Sequence, residues 1–172
     1  RGVRVWADGL AGADPITVAR ALAEVVRAES PDLVFTGVQS SDAVQAATGT
    51  AVAELLSLPR VAVVTKVELG DGKATVRREL EGGLVYVVEV DTPCVLTIQT
   101  GINEPRYATL RAIKQAEQKE IEEREPGDLG PPAARVRRMF VPAKGEGAEM
   151  LDGSATEIAQ RIKEIVDDRM KA

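Results

Sequence analysis

The residues best suited to binding a ligand lie where a short apolar stretch ends in a glycine and a helical pattern follows. Residues 33–36 read Leu-Val-Phe-Thr, Gly37 comes next, and a helix is predicted over residues 42–56. The first N–H groups of a helix have no partner within it, and its dipole favours an anion there. Gly37 lets the backbone turn, and the Thr48 hydroxyl is a further donor. Taken alone, the pattern favours an ordinary helix that is capped by Ser41 or Asp42 and binds nothing. The alternative is a phosphate or nucleotide site.

A second candidate is a leucine at the start of a charged segment. Residues 103–110 read Asn-Glu-Pro-Arg-Tyr-Ala-Thr-Leu, and residues 111–124 are predicted to form a helix with a solvated charged face. Pro105 keeps the preceding residue out of the helical region, so the helix begins after this loop. An exposed Leu110 could fill a pocket on a partner. Packed on its own helix, it would instead be a hydrophobic staple.

Composition excludes several classes of function for this chain of 172 residues. The formal net charge is −5 and aromatic residues make up 3%, which argues against a nucleic-acid partner. Histidine is absent, so we predict neither catalytic residues nor a metal site. The single cysteine, Cys94, excludes a disulfide framework and favours a reducing compartment. We predict no membrane insertion, because no apolar run reaches about 18 residues.

The elements that must position these candidates alternate between strand and helix. Asp14 and Pro15 mark the cap and first position of a helix that runs to about residue 29. Its predicted apolar stripe consists of Val18, Leu22, Val25 and Val26. With strands over residues 3–6, 33–36 and 61–67, this order predicts an α/β fold with a parallel sheet.

A different pattern follows the third predicted strand. Residues 63–69, 74–80 and 84–90 read as strands joined by turns at Asp-Gly and Gly-Gly pairs, so we predict an antiparallel hairpin insert at an edge of the sheet. Residues 93–98 then return to the main sheet.

The last part of the chain has too few predicted elements to form a hydrophobic core of its own. Residues 125–134 hold three prolines and two glycines and are predicted to be a linker. A short strand over residues 135–141 and a final helix, begun by a Ser154–Glu157 capping box, complete the tail. We therefore predict a nucleotide-binding α/β domain over residues 1–124, and a linker and C-terminal arm over residues 125–172 that packs on a partner.

Three segments together resemble the beta subunit of electron transfer flavoproteins. They are residues 103–110; residues 76–84, which read Val-Arg-Arg-Glu-Leu-Glu-Gly-Gly-Leu; and residues 32–49, the predicted strand, loop and helix. They keep the family's order over roughly residues 31–124. The resemblance implies a Rossmann-like parallel sheet of the adenine-nucleotide-binding type. That domain has further elements before residue 3, so we expect the N-terminal part of the domain to be absent from this chain.

The resemblance also assigns roles to residues. It implies an AMP whose phosphate lies against Ala46, Ala47 and Thr48, and whose adenosine lies along Gly37, Val38, Gln39 and Asp42. It implies that Tyr107, Ala108 and Leu110 dock partner dehydrogenases. It places Glu79 beside the mobile flavin domain of the alpha subunit, whose orientation it would bias, although Arg77 and Arg78 could neutralise this glutamate locally.

The implied function is that of an electron carrier without catalytic residues of its own. An alpha subunit would hold most of an FAD, and electrons would pass from acyl-CoA and related dehydrogenases, as in fatty acid beta-oxidation, to a membrane quinone oxidoreductase. The expected location is the cytoplasm of a bacterium, or the mitochondrial matrix in a eukaryote. Two alternatives are a bifurcating form, in which a second FAD replaces the AMP, and a stand-alone adenine-nucleotide sensor. Thr48 favours AMP, because bifurcating relatives tend to carry an apolar residue there.

Overall fold

The computed structural model describes residues 1–145, 147–148 and 150–171. Within them the strands are β1 (Gly2–Val5), β2 (Leu33–Gly37), β3 (Arg60–Gly70), β4 (Lys73–Glu79), β5 (Val85–Asp91), β6 (Cys94–Ile98) and β7 (Ile121–Arg124). The helices are α1 (Pro15–Glu29), α2 (Thr48–Leu56), α3 (Leu110–Glu117) and α4 (Ala155–Lys171). The chain divides into two compact units, Arg1–Arg135 and a second unit that begins at Val136.

The first unit is built on a five-stranded sheet in the order β2-β6-β3-β4-β5. The strands β2, β6 and β3 are parallel, whereas β4 and β5 are added antiparallel at one edge. This arrangement confirms the predicted α/β class with an antiparallel insert at the sheet edge. The core of the sheet is formed by seven buried side chains, Val61, Val64, Ala74, Val76, Val90, Cys94 and Leu96. Burial raises the pKa of the Cys94 thiol, which is consistent with an inert core residue.

The helix α1 begins as its sequence predicts. The Asp14 carboxylate accepts from the Ile16 N–H at 3.0 Å, and from the Thr17 N–H at 3.2 Å and hydroxyl at 2.6 Å. The predicted apolar stripe is wrong, however, because Leu22 is exposed and Val18 only partly buried. Small side chains are buried instead, namely Ala19, Ala21 and Ala23. Since α1 and α2 pack against each other, alanines allow the close approach that larger residues would prevent.

The charged stretch after α3 corrects a second prediction. The helix predicted over residues 111–124 ends at Glu117, and Ile121–Arg124 forms β7, which pairs in parallel with β1. The charges on this stretch make ion pairs rather than a solvated helix face. Glu122 contacts both Arg1 and Arg124, and Arg124 reaches Glu29 at 2.7 Å. Pairing with the distant strand β1, together with these ion pairs, thus outweighs the helical preference of residues 121–124.

The predicted linker is hydrogen-bonded along α1 over residues 127–133. The Glu24 carboxylate accepts from the Gly127 N–H at 2.9 Å. The Arg20 guanidinium donates to the carbonyl oxygens of Leu129 at 2.6 Å and Pro131 at 2.8 Å. The Asp14 carboxylate accepts from the Ala133 N–H at 3.2 Å. Helix residues spaced three or four apart share one face, so this face of α1 holds the segment in place.

The second unit contains α4, and its predicted capping box is confirmed. The Ser154 N–H and hydroxyl both donate to the Glu157 carboxylate, at 2.8 and 2.7 Å. Residues 135–141 are irregular rather than a strand. The apolar residues of α4 include Ile162, Ile165 and Val166, and all three are exposed. Among the described residues, no helix has the length and apolar character needed to cross a membrane.

Candidate functional site

The predicted nucleotide loop joins the carboxyl end of β2 to the start of α2. The helix expected over residues 42–56 begins only at Thr48, and residues 38–47 form an exposed loop. Two residues of this loop adopt left-handed backbone angles, Val44 at a φ of 50° and Ala46 at 48°. These angles are incompatible with a right-handed helix and are uncommon for residues other than glycine. The sequence offered no glycine or proline to mark the change.

A close contact fixes the helix start against the sheet. Gly49 in the first turn of α2 is buried, and a Cβ atom there would overlap the Thr36 hydroxyl. The Cβ atom built on Gly49 would also lie 2.9 Å from the Thr97 Cγ2 atom on β6. A glycine is therefore required where α2 meets the ends of β2 and β6, as in nucleotide-binding folds whose third glycine allows helix and strand to touch. Thr36 and Gly49, the residues in contact, are the sequence neighbours of Gly37 and Thr48.

The first turn of α2 leaves its N–H groups available. The residue before the helix is Ala47, and among the described residues no side chain caps this end. The first helical hydrogen bond to the loop runs from the Ala51 N–H to the Ala47 carbonyl oxygen, at 2.9 Å. The N–H groups of Thr48, Gly49 and Thr50 therefore lie free at the positive end of the helix dipole, next to the Thr48 hydroxyl.

The remaining residues predicted for the nucleotide lie on the exposed loop. Val38 is partly buried, whereas Gln39, Asp42 and Ala46 are exposed. The Ser40 hydroxyl and then the Ala43 N–H hold the pKa of the Asp42 carboxyl below its usual value. Asp42 is thus an ionised carboxylate that could accept hydrogen bonds from ribose hydroxyls. Its negative charge argues against a phosphate beside it.

A cleft of about 760 Å³ opens at the same end of the sheet, at the carboxyl ends of the parallel strands. Gly37 lines it, together with Phe35, Thr36, Lys66, Val67 and residues 98–103. None of the other predicted nucleotide-binding residues lines this cleft. Ligands of open α/β sheets bind beyond the carboxyl ends of the strands. That rule could have pointed to Lys66 and residues 99–103, which the sequence analysis did not select.

The predicted docking residues share one exposed segment. The Thr109 hydroxyl caps α3 by accepting from the Ala112 N–H at 3.3 Å, which makes Leu110 the first helical residue. Tyr107 is 96% exposed and Leu110 is 80% exposed. Over residues 110–117, no side chain of α3 is buried. This exposure disfavours the hydrophobic-staple interpretation, because Leu110 is not packed against its own helix.

Glu79 ends β4 at the edge of the hairpin insert, opposite Val85. It is exposed and makes no ion pair with any residue that the structure describes. The expected neutralisation by Arg77 or Arg78 is therefore not observed. The carboxylate is free to act on a partner.

Comparison with known proteins places these features in a family. The sequence profile of the "Electron transfer flavoprotein domain" matches residues 1–129. The chain belongs to the electron transfer flavoprotein family. It is 50% identical to the "Electron transfer flavoprotein subunit beta" of Methylophilus methylotrophus, over 98% of this chain and 67% of that protein.

Two further proteins of the same description extend this similarity. The beta subunit of Syntrophomonas wolfei subsp. wolfei is 34% identical over 99% of this chain and 68% of its own length. The beta subunit of Mus musculus is 39% identical over 76% of this chain and 51% of its own length. The chain thus spans about two thirds of the two bacterial relatives and about half of the mouse protein. The resemblance to the beta subunit found in the sequence is confirmed.

Proposed function

We propose that this chain forms a heterodimer with a flavin-binding alpha subunit, and that the dimer carries electrons from acyl-CoA and related dehydrogenases to a quinone oxidoreductase. The family match over residues 1–129 supports this most directly, and the packing at Gly49 supports a nucleotide site in this chain. It holds the uncapped start of α2 against the end of β2, where a nucleotide phosphate would lie. The family's name supports the presence of a flavin in the assembled protein.

The nucleotide proposed for this chain is AMP, with a role in structure rather than in electron transfer. The free N–H groups of Thr48 and Gly49 and the Thr48 hydroxyl fit a phosphate monoester. Ala46 and Ala47 contribute backbone only, because their side chains carry no polar atom. Gly37, Val38, Gln39 and Asp42 would follow the adenosine along the loop.

The FAD would supply the redox chemistry when it is bound between the two subunits. The chain's own contribution is to bind and to orient. The Tyr107–Ala108–Leu110 segment would dock a dehydrogenase, and the unpaired Glu79 would bias the position of the flavin-bearing domain. Of the predicted linker and arm over residues 125–172, we further propose that the part after residue 135 packs on the alpha subunit, since the apolar residues of α4 are exposed.

Co-expression with the alpha subunit tests the proposal. We expect a stable complex whose visible spectrum and extracted nucleotides correspond to one FAD and one AMP. Two FADs and no AMP would instead indicate a bifurcating protein. A chain that purifies alone with an adenine nucleotide and no flavin would indicate a nucleotide sensor, and a folded monomer with a cooperative melt would refute the obligate heterodimer.

A further inference from the structure

Arg78 carries a buried polar atom that has no partner. Its Nε atom is shielded from solvent and finds no hydrogen-bond acceptor among the residues that the structure describes. The residue lies on β4, opposite Val64 of β3 and Tyr86 of β5. Because side chains alternate along a strand, Arg78 shares the inner face of the sheet with the buried Val76 and Ala74. Arg77 and Glu79 belong to the opposite face.

An unpaired charged donor is costly inside a protein. Buried polar groups almost always have an acceptor, and a charged one loses more than a neutral one when it has none. No neighbour on the same face supplies that acceptor. Val64 and Val76 are apolar, and the side-chain hydrogen bonds and ion pairs of the described residues include none to the Arg78 side chain. Arg78 as a whole is only partly buried, and an acceptor from outside this unit would satisfy its Nε atom.

The surface around Arg78 has the composition of a protein interface. Tyr86 is 59% exposed on the neighbouring strand, and Leu84 just before it is 64% exposed. In the described chain, β5 is the last strand of its sheet, so its outer edge is unpaired. Arginine and tyrosine within an apolar surround are the residues most enriched where binding energy concentrates.

The charge of this surface indicates what the acceptor is. Lys66, the nearest other cation by strand register, lies opposite Arg77 and so shares its outer face. One guanidinium alone on an apolar face matches a single negative charge. The side of the guanidinium that carries Nε offers two parallel N–H groups, which fit a carboxylate in a bidentate pair.

We propose that Arg78 pairs with an aspartate or glutamate side chain of the alpha subunit, at a contact framed by Tyr86 and Leu84. This proposal rests on the heterodimer proposed above. It makes the inner end of the β4–β5 hairpin part of the subunit interface and gives Arg78 a partner that the isolated chain lacks.

The test compares Arg78→Met with Arg77→Met in the co-expressed complex. Both changes remove one arginine, from adjacent positions on opposite faces of β4. The dissociation constant of the heterodimer, measured by sedimentation across a dilution series, should rise about 30-fold or more for Arg78→Met. It should stay within about threefold of the parent for Arg77→Met, an exposed position. Arg78→Lys should fall between, because lysine keeps the charge and loses the bidentate geometry.

Amide hydrogen exchange in the complex separates an interface role from a folding role. The Arg78 side chain is only partly buried and its Nε atom has no partner among the described residues, so β4 and β5 amides should keep their protection in Arg78→Met. Loss of that protection would overturn the proposal in favour of a structural role. A dissociation constant unchanged by Arg78→Met would overturn this contact alone. A parent chain that forms no complex would overturn the contact and the proposed heterodimer together.

Discussion

The start of α2 and the start of α3 are both helix N-termini that follow a polar loop, yet they are built in opposite ways. At α2, a glycine is pressed against two threonines of the sheet, and no side chain caps the helix. At α3, a threonine caps the helix, and the side chains around it are exposed. The first end is suited to present its backbone to a small ligand. The second has its backbone satisfied and presents side chains to a partner.

The contrast is tested most severely by Gly49→Ala. The new methyl group would overlap the Thr36 hydroxyl and approach the Thr97 Cγ2 atom, both on strands that cannot easily move. Overpacking of this kind costs about 1–3 kcal/mol or more, and we expect the upper end here. Melting temperature and AMP content of the complex should both fall.

The matched control for this change is Gly70→Ala. A Cβ atom at Gly70 would meet nothing within 4 Å. It should leave melting temperature and AMP content near those of the parent. If Gly49→Ala behaves like its control, α2 does not depend on this close contact.

Thr48→Glu should abolish nucleotide binding without unfolding α2. A carboxylate at the first helical position interacts favourably with the helix dipole, so the helix should persist. The same carboxylate would occupy the phosphate position and repel it, at a cost several times the ~1–3 kcal/mol of a lost charged hydrogen bond. We expect no AMP on extraction of the Glu variant and a full complement with Thr48→Ser, which keeps the hydroxyl. Stoichiometric AMP in the Glu variant would place the site elsewhere.

Leu110→Ala should leave the fold intact and weaken docking. Because Leu110 is exposed, its truncation should change neither melting temperature nor flavin content. If it anchors a dehydrogenase, binding measured by titration should weaken roughly 30-fold or more, since such anchors contribute about 2–4 kcal/mol.

The control for the docking change is Leu69→Ala, at another exposed leucine near the tip of the β3–β4 hairpin. It should change neither stability nor docking. Should Leu110→Ala lower the melting temperature, or bind the dehydrogenase as the parent does, the docking role fails.

The smallest expected effect concerns Glu122 on β7, the strand that follows α3. Hydrogen bonds from Arg124, then from Arg1, lower the pKa of Glu122 from an ordinary value near 4.5 to about 2. A lowered pKa means that these contacts add stability above pH 4.5, and that this contribution is lost as pH falls toward 2.

Glu122→Gln should therefore melt slightly below the parent at pH 6, and the gap should narrow toward pH 3. Thermal melts of the complex across this range measure it, and 0.5 M NaCl should also shrink the gap. A gap that is independent of pH would show that the carboxylate charge is not what matters.

Local chemistry explains which parts of this fold could be predicted from the sequence. Asp14 before Pro15 and Ser154 before Glu157 are short-range signals, and both helix starts are found where they were predicted. The strand β7 could not be predicted in this way, because its partner β1 lies about 120 residues away in the sequence. The charged residues within 111–124 also favour a helix locally. Likewise, only the packing of α1 on α2 reveals that alanines, not the larger apolar residues, are buried.

The candidate site was predictable in its place and not in its details. Gly37 and Thr48 were selected because a strand end feeds a helix start, and in the structure β2 ends at Gly37 and α2 begins at Thr48. The left-handed angles at Val44 and Ala46 depend on the surrounding loop and have no sequence signal. The alternation Ala74, Val76, Arg78 did carry a signal, since it places an arginine on the apolar face of a strand.

The pairing of β1 with β7 has a consequence for how this unit forms during synthesis. Gly2 aligns with Ile121, so about 120 residues are translated between β1 and the strand that pairs with it in this structure. At typical elongation rates that delay is roughly 6–24 s. Throughout that time α1, the parallel strands and the hairpin can already fold, while β1 lacks its β7 neighbour. Premature release or stalling before residue 121 should therefore leave a largely folded intermediate in which the edge of β1 that β7 covers is open to other chains.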